Sequence, residues 1–434
     1  MKKEVSGFSK LSKSEKIQWI TESFFKDPNK AKLELSKYWN SNHKIQQKHD
    51  EFIENTLSNF YMPLGVAPNF VINNKSVTIP MVIEESSVVA AAANSAKYWS
   101  KRGGFHAEVL DVEKVGHIHF LHKGKKKNLH TFFEENKNTF LKSCDEITSN
   151  MRIRGGGILS IQLNDKTNDL ENYFQIDIRF NTVDSMGANF INSCLEKIAN
   201  SMKKLSLKSN LIDENDLDII MSILSNYVPN CLVKVWVSCP VSDLDENSGF
   251  SANEFAKKFI QAVKISEIDP YRAVTHNKGI MNGIDSLAIA TGNDFRAIEA
   301  GVHAYASRNG TYSGLTKASI KNNIFTLEMT IPLSVGTVGG LTNLHPLVKW
   351  SLELLKNPNS KELMKIIGVA GLAQNFAAIR SLITSGIQKG HMKMHLLNIL
   401  NQMEVKEDEK IKAIEYFKKN TVSHNEVEKF LKSL

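Results

Sequence analysis

The sequence contains few cysteines, which form disulfide bonds, and few prolines, which interrupt secondary structure. Its 434 residues include 4 cysteines and 10 prolines, and the cysteines lack the spacing of a metal-binding motif. A chain of this length buries a substantial core without disulfide bonds, so we expect reduced thiols. No apolar run reaches the roughly 18 residues that cross a bilayer, and no apolar signal segment follows the N-terminal lysines. These absences predict a cytoplasmic protein without a membrane span or a metal centre.

Charge is also spread without a strong bias. The chain has 54 basic and 46 acidic side chains and a net charge of +8, and its basic cluster is confined to Lys123–Lys127. A nucleic-acid-binding protein would concentrate basic residues and interleave them with aromatic ones, so we expect no nucleic-acid partner. A mildly positive field suits an enzyme that handles phosphorylated cofactors. The 42% hydrophobic content is typical of a globular protein of two or three domains.

Helical patterns dominate the two ends, and strands alternate with helices between them. Ser12 and Glu15 have the spacing of a capping box, which predicts a helix from there. The middle segment lacks a G-x-G-x-x-G motif after a strand, so a Rossmann domain is excluded there. Instead the order strand–helix–strand–strand–helix predicts a small ferredoxin-like α+β sandwich. Its strands are predicted at Gly116–Leu121, Gly157–Leu163 and Phe174–Phe180, and its helices at Leu129–Ser149 and Ala188–Leu205.

The most distinctive stretch is residues 271–303, where Lys278 precedes Asp294 by sixteen residues. The apolar segment Ser286–Ala290 between them predicts one buried element flanked by polar, glycine-rich turns. A cation and a carboxylate among small residues are typical of a functional site, although the residues alone also fit a structural ion pair. A second stretch, EESSVVAAAA at 84–93, predicts a helix that begins after Ser86 and Ser87 and packs closely against another backbone.

These stretches resemble a known enzyme family. The strings THNKGIMNGID (275–285) and ATGNDFRAIEAGVHAYASR (290–308) are similar to the catalytic core of 3-hydroxy-3-methylglutaryl-CoA reductase, specifically its soluble bacterial class II branch. The segments DSMGAN (184–189), GLAQN (371–375) and GHMKMH (390–395) are similar to further parts of that family. The pattern is long and contains uncommon neighbours, so it is far more specific than a lone glycine motif.

The resemblance implies an α+β fold with three parts. A large mixed domain built around a central helix would comprise residues 1–111 and 227–380 and bind the acyl-CoA. A small, non-Rossmann, ferredoxin-like domain at 112–226 would bind the nicotinamide cofactor. A C-terminal helical flap would comprise residues 381–434.

The resemblance also implies roles for individual residues. Catalysis would fall to Glu85, Lys278, Asp294 and His391, with Lys278 stabilising an oxyanion and His391 protonating the departing CoA thiolate. Glu85 would supply the proton of the second reduction, and Asp294 would hold Lys278 and Glu85 in one hydrogen-bonded network. The acyl-CoA would be bound by Ser87, Asn226, Arg272, Asn282 and Gln374. The cofactor would contact Asp184, Met186, Gly187 and Asn189.

The implied reaction is the four-electron reduction of 3-hydroxy-3-methylglutaryl-CoA to mevalonate and CoA, or its reverse, with two equivalents of NADPH or NADH. The implied assembly is a homodimer, or a set of dimers, with shared active sites. The alternative is a non-catalytic CoA- or nucleotide-binding regulator on the same scaffold. Binding alone does not require all four catalytic residues, so their joint presence favours the enzyme.

The choice of cofactor depends on the residues that face the adenosine ribose, because a carboxylate accepts a 2′-hydroxyl and an arginine accommodates a 2′-phosphate. In NADH-using relatives an aspartate precedes the triple glycine by one or two turns. This chain has Thr148 and Ser149 at that spacing, followed by Arg152 and Arg154. A small shift in this alignment would instead place the carboxylate of Asp145 or Glu146 there. We therefore expect NADPH to be preferred, with NADH usable.

Overall fold

The protein has a mixed α+β fold, as predicted, in a computed structural model that describes residues 4–244, 249–342, 344–384, 396–397, 399–417, 420 and 422–434. The helices of the described residues are α1 (Lys13–Phe24), α2 (Pro28–Lys37), α3 (His43–Asp50), α4 (Val88–Ser100), α5 (Lys126–Ser143), α6 (Asp145–Ile153), α7 (Ala188–Ser206), α8 (Ala252–Ile268), α9 (Pro270–Ala290), α10 (Phe295–Ala306), α11 (Pro346–Leu354), α12 (Ser360–Ile383), α13 (Glu407–Tyr416) and α14 (His424–Lys432). The strands are β1 (Leu64–Ile72), β2 (Lys75–Val82), β3 (His106–Val109), β4 (Lys114–His122), β5 (Gly157–Asp165), β6 (Tyr173–Asn181), β7 (Leu217–Ser225), β8 (Leu232–Pro240), β9 (Thr316–Lys321) and β10 (Ile324–Pro332).

The first helix begins where the sequence predicts. The Ser12 side chain accepts a hydrogen bond from the Glu15 backbone N–H, and the Glu15 carboxylate accepts one from the Ser12 backbone N–H. This reciprocal pair satisfies two backbone donors that an uncapped helix leaves without partners. The predicted capping box is therefore confirmed.

A large apolar core lies between a four-stranded antiparallel sheet, in the order β3-β8-β10-β9, and the helices α4, α8, α9 and α12. On β8, Val233, Val235 and Val237 alternate with partly exposed neighbours, which is the period of a strand with one covered face. Helix α12 alone, among the described residues, is long and apolar enough to cross a membrane. However, 67% of its most apolar window is buried, and it packs against α9, α4 and β8 as a core helix.

Helix α9 corrects one prediction, because the polar, glycine-rich residues around Lys278 lie inside a continuous helix of 21 residues rather than in turns. Asp269 caps this helix and Pro270 occupies its first turn, which favours a start at that point. A glycine in a helix costs about 1 kcal/mol relative to alanine, and burial of the apolar face offsets that. At Gly283 a Cβ atom would lie 2.3 Å from the Ala370 carbonyl oxygen, so α9 and α12 touch backbone to backbone.

A second apolar core draws its buried residues from positions 118–217. Its sheet has the strand order β5-β6-β4-β7, with every neighbouring pair antiparallel. Together with α5, α6 and α7 this gives the predicted β-α-β-β-α-β succession of a ferredoxin-like sandwich. The predicted long helix at Leu129–Ser149 is broken at Cys144 into α5 and α6.

The described residues beyond 395 form a third apolar cluster. Its buried members are Leu396, Ile399, Leu400, Ala413, Phe417 and Val427. Helices α13 and α14 pack against each other within it. This segment therefore has a small core of its own.

Candidate active site

A cavity of about 860 Å³ lies where three elements of the large core converge. They are the loop that precedes α4, the N-terminal half of α9 and the C-terminal half of α12. The residues predicted to act on the acyl group that line this cavity are Glu85, Ser87, Arg272, Lys278, Asn282 and Gln374. Three segments far apart in the chain thus bring six of the predicted residues together.

Lys278 and Glu85 are paired at this cavity. The Lys278 Nζ atom lies 2.6 Å from Glu85 Oε2, and the Asn282 Nδ2 atom lies 3.4 Å from the same oxygen. Lys278 and Asn282 are four residues apart on α9 and therefore project from one face. The Lys278 side chain is 58% exposed and that of Glu85 is 37% exposed, so a ligand can reach both. The pair can stabilise a developing oxyanion and exchange a proton with it.

Ser87 occupies the N-cap position of α4, as predicted, but its hydroxyl makes no capping hydrogen bond. Its backbone is left-handed, with φ 76° and ψ −16°. Such a conformation is costly for a residue other than glycine and is concentrated at functional sites. The hydroxyl remains in the lining of the cavity and can contact a ligand.

Two further cavity residues carry polar groups without partners. Arg272 makes no hydrogen bond or ion pair with any residue that the structure describes, and burial lowers the pKa of its guanidinium. Gln374 is 6% exposed, and its Oε1 atom is buried without a hydrogen bond to any of the described residues. Unpaired buried polar groups are rare in folded proteins. The arrangement therefore indicates a polar ligand, and the guanidinium suits an anion.

Asp294 lies elsewhere, as the N-cap of α10. It accepts hydrogen bonds from the backbone N–H groups of Arg296 and Ala297, at 3.1 and 3.2 Å. Although burial acts to raise it, the pKa of Asp294 is lowered, chiefly by the Arg296 side chain. Twelve residues of α9, or about 18 Å of helix, separate Lys278 from the end of α9 at Ala290, and Asp294 comes after that end. One chain therefore does not assemble the predicted network of Asp294 with Lys278 and Glu85.

Asp294 instead belongs to a second group of predicted residues. The Asn293 side chain accepts a hydrogen bond from the Gly336 N–H at 2.8 Å, and Thr337 N–H donates to the Asp184 carbonyl at 2.8 Å. Asn226 and Met186 line one small cleft together with Ala297. The second group thus comprises Asp184, Met186, Gly187, Asn189, Asn226 and Asp294.

Asp184, Met186 and Gly187 of the second group lie in the loop that precedes α7. Gly187 has φ 90°, and a Cβ atom there would lie 2.4 Å from Thr182 Cγ2, so only glycine fits. Asn189 is exposed in the first turn, where backbone N–H groups are free to bind a phosphate. The Asp184 carboxylate accepts a hydrogen bond from the Ser360 N–H at 2.8 Å, so it ties the loop to α12.

A buried lysine that the sequence reasoning missed supports the same loop. Lys114 is 4% exposed, and its Nζ atom donates to Thr182 Oγ1 and to the carbonyls of Ser185 and Met186, at 2.7, 2.7 and 3.0 Å. Burial lowers the pKa of Lys114 to about 8. Its only sequence signal is a charged residue at the start of an apolar strand. The ammonium group fixes the conformation of the loop.

A half-buried carboxylate on α9, which lies near a second carboxylate on α10, was also missed. Burial, reinforced by the neighbouring Glu299, raises the pKa of Asp285 to about 8. The Asp285 Oδ1 atom is buried and has no hydrogen-bond partner within the part of the chain that the structure describes. Desolvation and a nearby like charge both favour the protonated form of the Asp285 carboxyl.

The residues predicted to contact the adenosine ribose lie on α6, but their side chains are not equally exposed. Thr148 is 3% exposed, and its hydroxyl donates to the Cys144 carbonyl at 2.9 Å, so it cannot face a ribose. Ser149 is exposed. Arg152 is 53% exposed and forms an ion pair with Asp145 at 2.8 Å. The structure therefore leaves Ser149 and Arg152 as candidates and removes Thr148. The predicted acid His391 lies outside the described residues.

Comparison with known proteins places this geometry in context. A family model described as hydroxymethylglutaryl-coenzyme A reductase matches residues 13–396. The 3-hydroxy-3-methylglutaryl-coenzyme A reductase of Archaeoglobus fulgidus is 35% identical over 419 residues, which cover 96% of this chain and 91% of the relative. A probable reductase of the same name from Borreliella burgdorferi is 32% identical over 93% of this chain and 89% of its own length.

Solved structures agree with the sequence relatives. The class II 3-hydroxy-3-methylglutaryl-CoA reductase of Streptococcus pneumoniae bound to NADPH matches with a TM-score of 0.72 and 34% identity, over 88% of this chain and all 100% of that one. Another structure of the S. pneumoniae reductase covers 99% of this chain with a TM-score of 0.73 and 32% identity. With the fold, the paired Lys278 and Glu85 and the family model in agreement, this chain is a member of the hydroxymethylglutaryl-coenzyme A reductase family.

Proposed function

We propose that the protein catalyses the two-step reduction of 3-hydroxy-3-methylglutaryl-CoA to mevalonate and CoA, or its reverse, as a soluble cytoplasmic enzyme. The observation that carries this proposal is the hydrogen bond between Lys278 and Glu85 at the cavity, 2.6 Å long. A cation beside a carboxylate suits a reaction in which an oxyanion forms and then takes up a proton. Binding of CoA alone would not require the pair.

The cofactor is a reduced nicotinamide dinucleotide, with NADPH preferred and NADH usable. When bound, it supplies the hydride for each of the two reductions. Residues of this chain fit such a group, because Gly187 opens α7 in a conformation that exposes backbone N–H groups to a phosphate. Ser149 and Arg152 are the candidates for contact with the adenosine ribose.

Lys278 performs the first step by stabilising the negative charge that develops on the thioester oxygen. A preorganised cation at that position is worth at least the 100- to 1000-fold, or about 3–4 kcal/mol, that a neutral oxyanion donor contributes. Arg272 binds the carboxylate at the other end of the acyl group, because a guanidinium offers two parallel donors. Ser87, Asn282 and Gln374 orient the remaining polar atoms of the acyl group.

His391 acts between the two reductions. When the intermediate collapses, the carbon–sulfur bond breaks and the electron pair leaves with the sulfur as a thiolate. A thiol of this kind has a reference pKa of about 8.5, so protonation by an imidazolium speeds its departure at neutral pH. Glu85 then gives a proton to the oxygen of the aldehyde during the second reduction, while Lys278 again stabilises the charge.

The two groups of predicted residues combine in a symmetric dimer. Each chain offers the cavity group, with Lys278 and Glu85, and the second group, with Asp294 and Asn226, on separate elements. A two-fold axis that sets one group against the other produces two complete sites. Exposed apolar side chains on the loop and helix after Thr337 support an interface there; they are Val338, Leu341, Leu344, Leu347 and Trp350. Pairs of dimers are a further assembly of the same unit.

The domain division follows the three apolar cores. Residues 1–111 and 227–380 would form the acyl-CoA domain, residues 112–226 the cofactor domain, and residues 381–434 the flap that brings His391 to the site. Cores drawn from positions 118–217 and from positions beyond 395 support the division. A flap that closes late suits an acid that is needed only midway.

The test is the purified protein with 3-hydroxy-3-methylglutaryl-CoA and each reduced cofactor, followed by cofactor absorbance. We expect oxidation of two equivalents of cofactor per acyl-CoA consumed, and release of one thiol. Cofactor oxidation that does not depend on the acyl-CoA, or binding without oxidation in either direction, would favour the regulator instead.

A further inference from the structure

A buried imidazole lies under the cavity and has no part in the proposed steps. His276 is on α9, 2% exposed, and lines the same cavity as Lys278. Its Nδ1 atom is buried and has no hydrogen-bond partner in the part of the chain that the structure describes. A buried donor without a partner costs about 1–3 kcal/mol, so its presence indicates a ligand.

The other ring nitrogen fixes the tautomer. The Nε2 atom lies 3.2 Å from Asn375 Nδ2 and 2.6 Å from Thr316 Oγ1. An amide nitrogen can only donate, so Nε2 must carry the lone pair rather than a hydrogen. The hydroxyl of Thr316 then donates its one hydrogen to the same lone pair across 2.6 Å, and the longer 3.3 Å separation from Asn375 Oδ1 is left without a hydrogen. In a neutral imidazole the hydrogen is then on Nδ1.

The ring is also kept neutral. Burial, and secondarily the charge of Arg272, lower the pKa of His276 to about 3. At physiological pH the residue is therefore a fixed, uncharged N–H donor rather than a proton carrier. This excludes a role for His276 as a general acid in the reaction.

Arg272 supplies the second donor of the same subsite. It is four residues before His276 on α9 and therefore projects from the same helix face. Both residues line the cavity, and neither the guanidinium nor Nδ1 has a partner among the described residues. Two donors one turn apart, one of them cationic, are suited to the two oxygens of a carboxylate.

We propose that His276 is a specificity-determining residue, whose Nδ1–H donates to the terminal carboxylate of the acyl substrate beside the Arg272 guanidinium. Thr316 and Asn375 are its positioning residues, because they hold the ring in the donor tautomer. This inference rests on the proposed reductase function for the identity of the acyl group. It explains selection for an acyl-CoA with a free carboxylate, since a neutral acyl end would leave both donors unpaired.

Two substitutions at the same position test the donor. An asparagine amide places its nitrogen near the position of Nδ1, whereas a glutamine amide reaches the position of Nε2. The readouts are the dissociation constant of free 3-hydroxy-3-methylglutarate, and KM and kcat for the acyl-CoA. We expect His276→Gln to raise the dissociation constant and KM by about 10- to 100-fold with little change in kcat, as for loss of a hydrogen bond to a charged group. His276→Asn should stay within a few-fold of wild type, and CoA binding should be unchanged in both.

The opposite order, with His276→Gln tolerated and His276→Asn impaired, would show that the ring only supports Thr316 and Asn375 and would overturn the proposal. Asn375→Asp is an isosteric second test, because its carboxylate accepts Nε2–H and leaves a lone pair on Nδ1. We expect weaker binding of the diacid in this variant, and a folded Asn375→Asp protein that binds the diacid as wild type does would also refute the proposal. Wild-type protein that binds the diacid without oxidising cofactor would contradict the reductase function and not this subsite.

Discussion

The Nζ atom of Lys278 lies 2.6 Å from Oε2 of Glu85, although 193 positions separate the two residues in the chain. The contact joins the middle of α9 to the loop before α4, so it exists only when the large core is assembled. Both side chains are partly exposed, and ion pairs of that kind contribute at most about 1 kcal/mol to stability. The pair can therefore be removed without unfolding the protein, and its effects on catalysis can be measured cleanly.

Replacing Lys278 with alanine should abolish both reductions while the fold and CoA binding persist. We expect a loss of at least about 100-fold in kcat, because a cationic oxyanion donor is removed. Steady-state kinetics with the acyl-CoA and with mevaldehyde give the measurement. Lys234→Ala is the matched control, since Lys234 forms a comparable 3.0 Å ion pair with Glu328 on the sheet. Near-normal turnover in folded Lys278→Ala protein would remove the lysine from the mechanism.

His391→Gln should impair one of the two half-reactions and spare the other. Protonation of the thiolate is needed only when CoA leaves, so reduction of the acyl-CoA should fall strongly and reduction of free mevaldehyde should be largely spared. The measurement is the ratio of kcat/KM for the two substrates, with His424→Gln on α14 as a control for loss of an imidazole from the C-terminal segment. Equal losses in both half-reactions would contradict the assignment.

A mixture of two inactive variants tests the shared site. Lys278→Ala and Asp294→Ala should each be inactive alone. If Asp294 serves the Lys278 of its partner, subunit exchange creates dimers with one intact site, and a 1:1 mixture should recover about a quarter of wild-type activity. The measurement is activity after dissociation and reassembly of the mixed chains. Exchange proven by mass labelling with no recovered activity would place both residues in one chain's site.

The arginines near the triple glycine should set the cofactor ratio. If Arg152 binds the 2′-phosphate, Arg152→Ala should lower the NADPH-to-NADH ratio of kcat/KM by about tenfold, as expected for a charge-assisted contact. Its ion-pair partner Asp145 is left free in that variant and would also disfavour a phosphate. Arg154→Ala tests the neighbouring guanidinium, and Lys142→Ala removes the same charge from the end of α5. An unchanged ratio in both arginine variants would show that neither arginine binds the 2′-phosphate. A wild-type preference for NADH would show that the residues facing the ribose were assigned to the wrong positions before the triple glycine.

The half-buried Asp285 carboxyl should make the free energy of unfolding depend on pH. The pKa of Asp285 is raised from its ordinary value of 3.8 to about 8, so the folded state holds a proton that the unfolded state releases between those values. Its stabilising effect is complete below about pH 4 and is lost as the pH rises through about 8. Asp285→Asn removes this dependence and should be more stable than wild type at pH 8, by on the order of 1 kcal/mol after allowance for partial exposure. Urea unfolding at pH 5, 7 and 8 measures the difference, and parallel pH profiles of the two proteins would contradict it.

The local elements of this fold were predictable where one period dominates. Strands such as β4 and β6 alternate apolar and polar residues, and the Ser12 capping box marks a helix start, so both were confirmed. The helical conformation of α9 around Lys278 was not predicted, because glycines in the sequence usually indicate turns. The close packing against α12, which the sequence does not show, requires those glycines in a helix. Local chemistry also says nothing of the order β5-β6-β4-β7, which depends on pairings between distant segments.

The residues of the candidate site could likewise be predicted only in part from the sequence. Similarity to a family identified Glu85 and Lys278, and the structure brings them within hydrogen-bond distance. It did not reveal that Asp294 lies beyond the far end of α9, since a spacing of sixteen residues is short in sequence but long as a helix. Thr148 has a polar side chain yet is 3% exposed, and its hydroxyl donates to the Cys144 carbonyl one turn earlier. Such local bonds are invisible in a list of residue types.

The backbone contact at Gly283 limits how this enzyme can be changed in the laboratory. Two helices that meet through side chains can exchange one residue for another and adjust by rotamer changes. Here the added methyl of an alanine would lie 2.3 Å from the Ala370 carbonyl oxygen, so the backbone of α9 or α12 would have to shift. Arg272, Lys278 and Asn282 all lie on α9, so a shift of that helix would change their positions relative to Glu85. Libraries built to alter substrate choice should therefore vary the cavity lining and leave position 283 as glycine, because accepted variants there would be rare whatever substrate is selected.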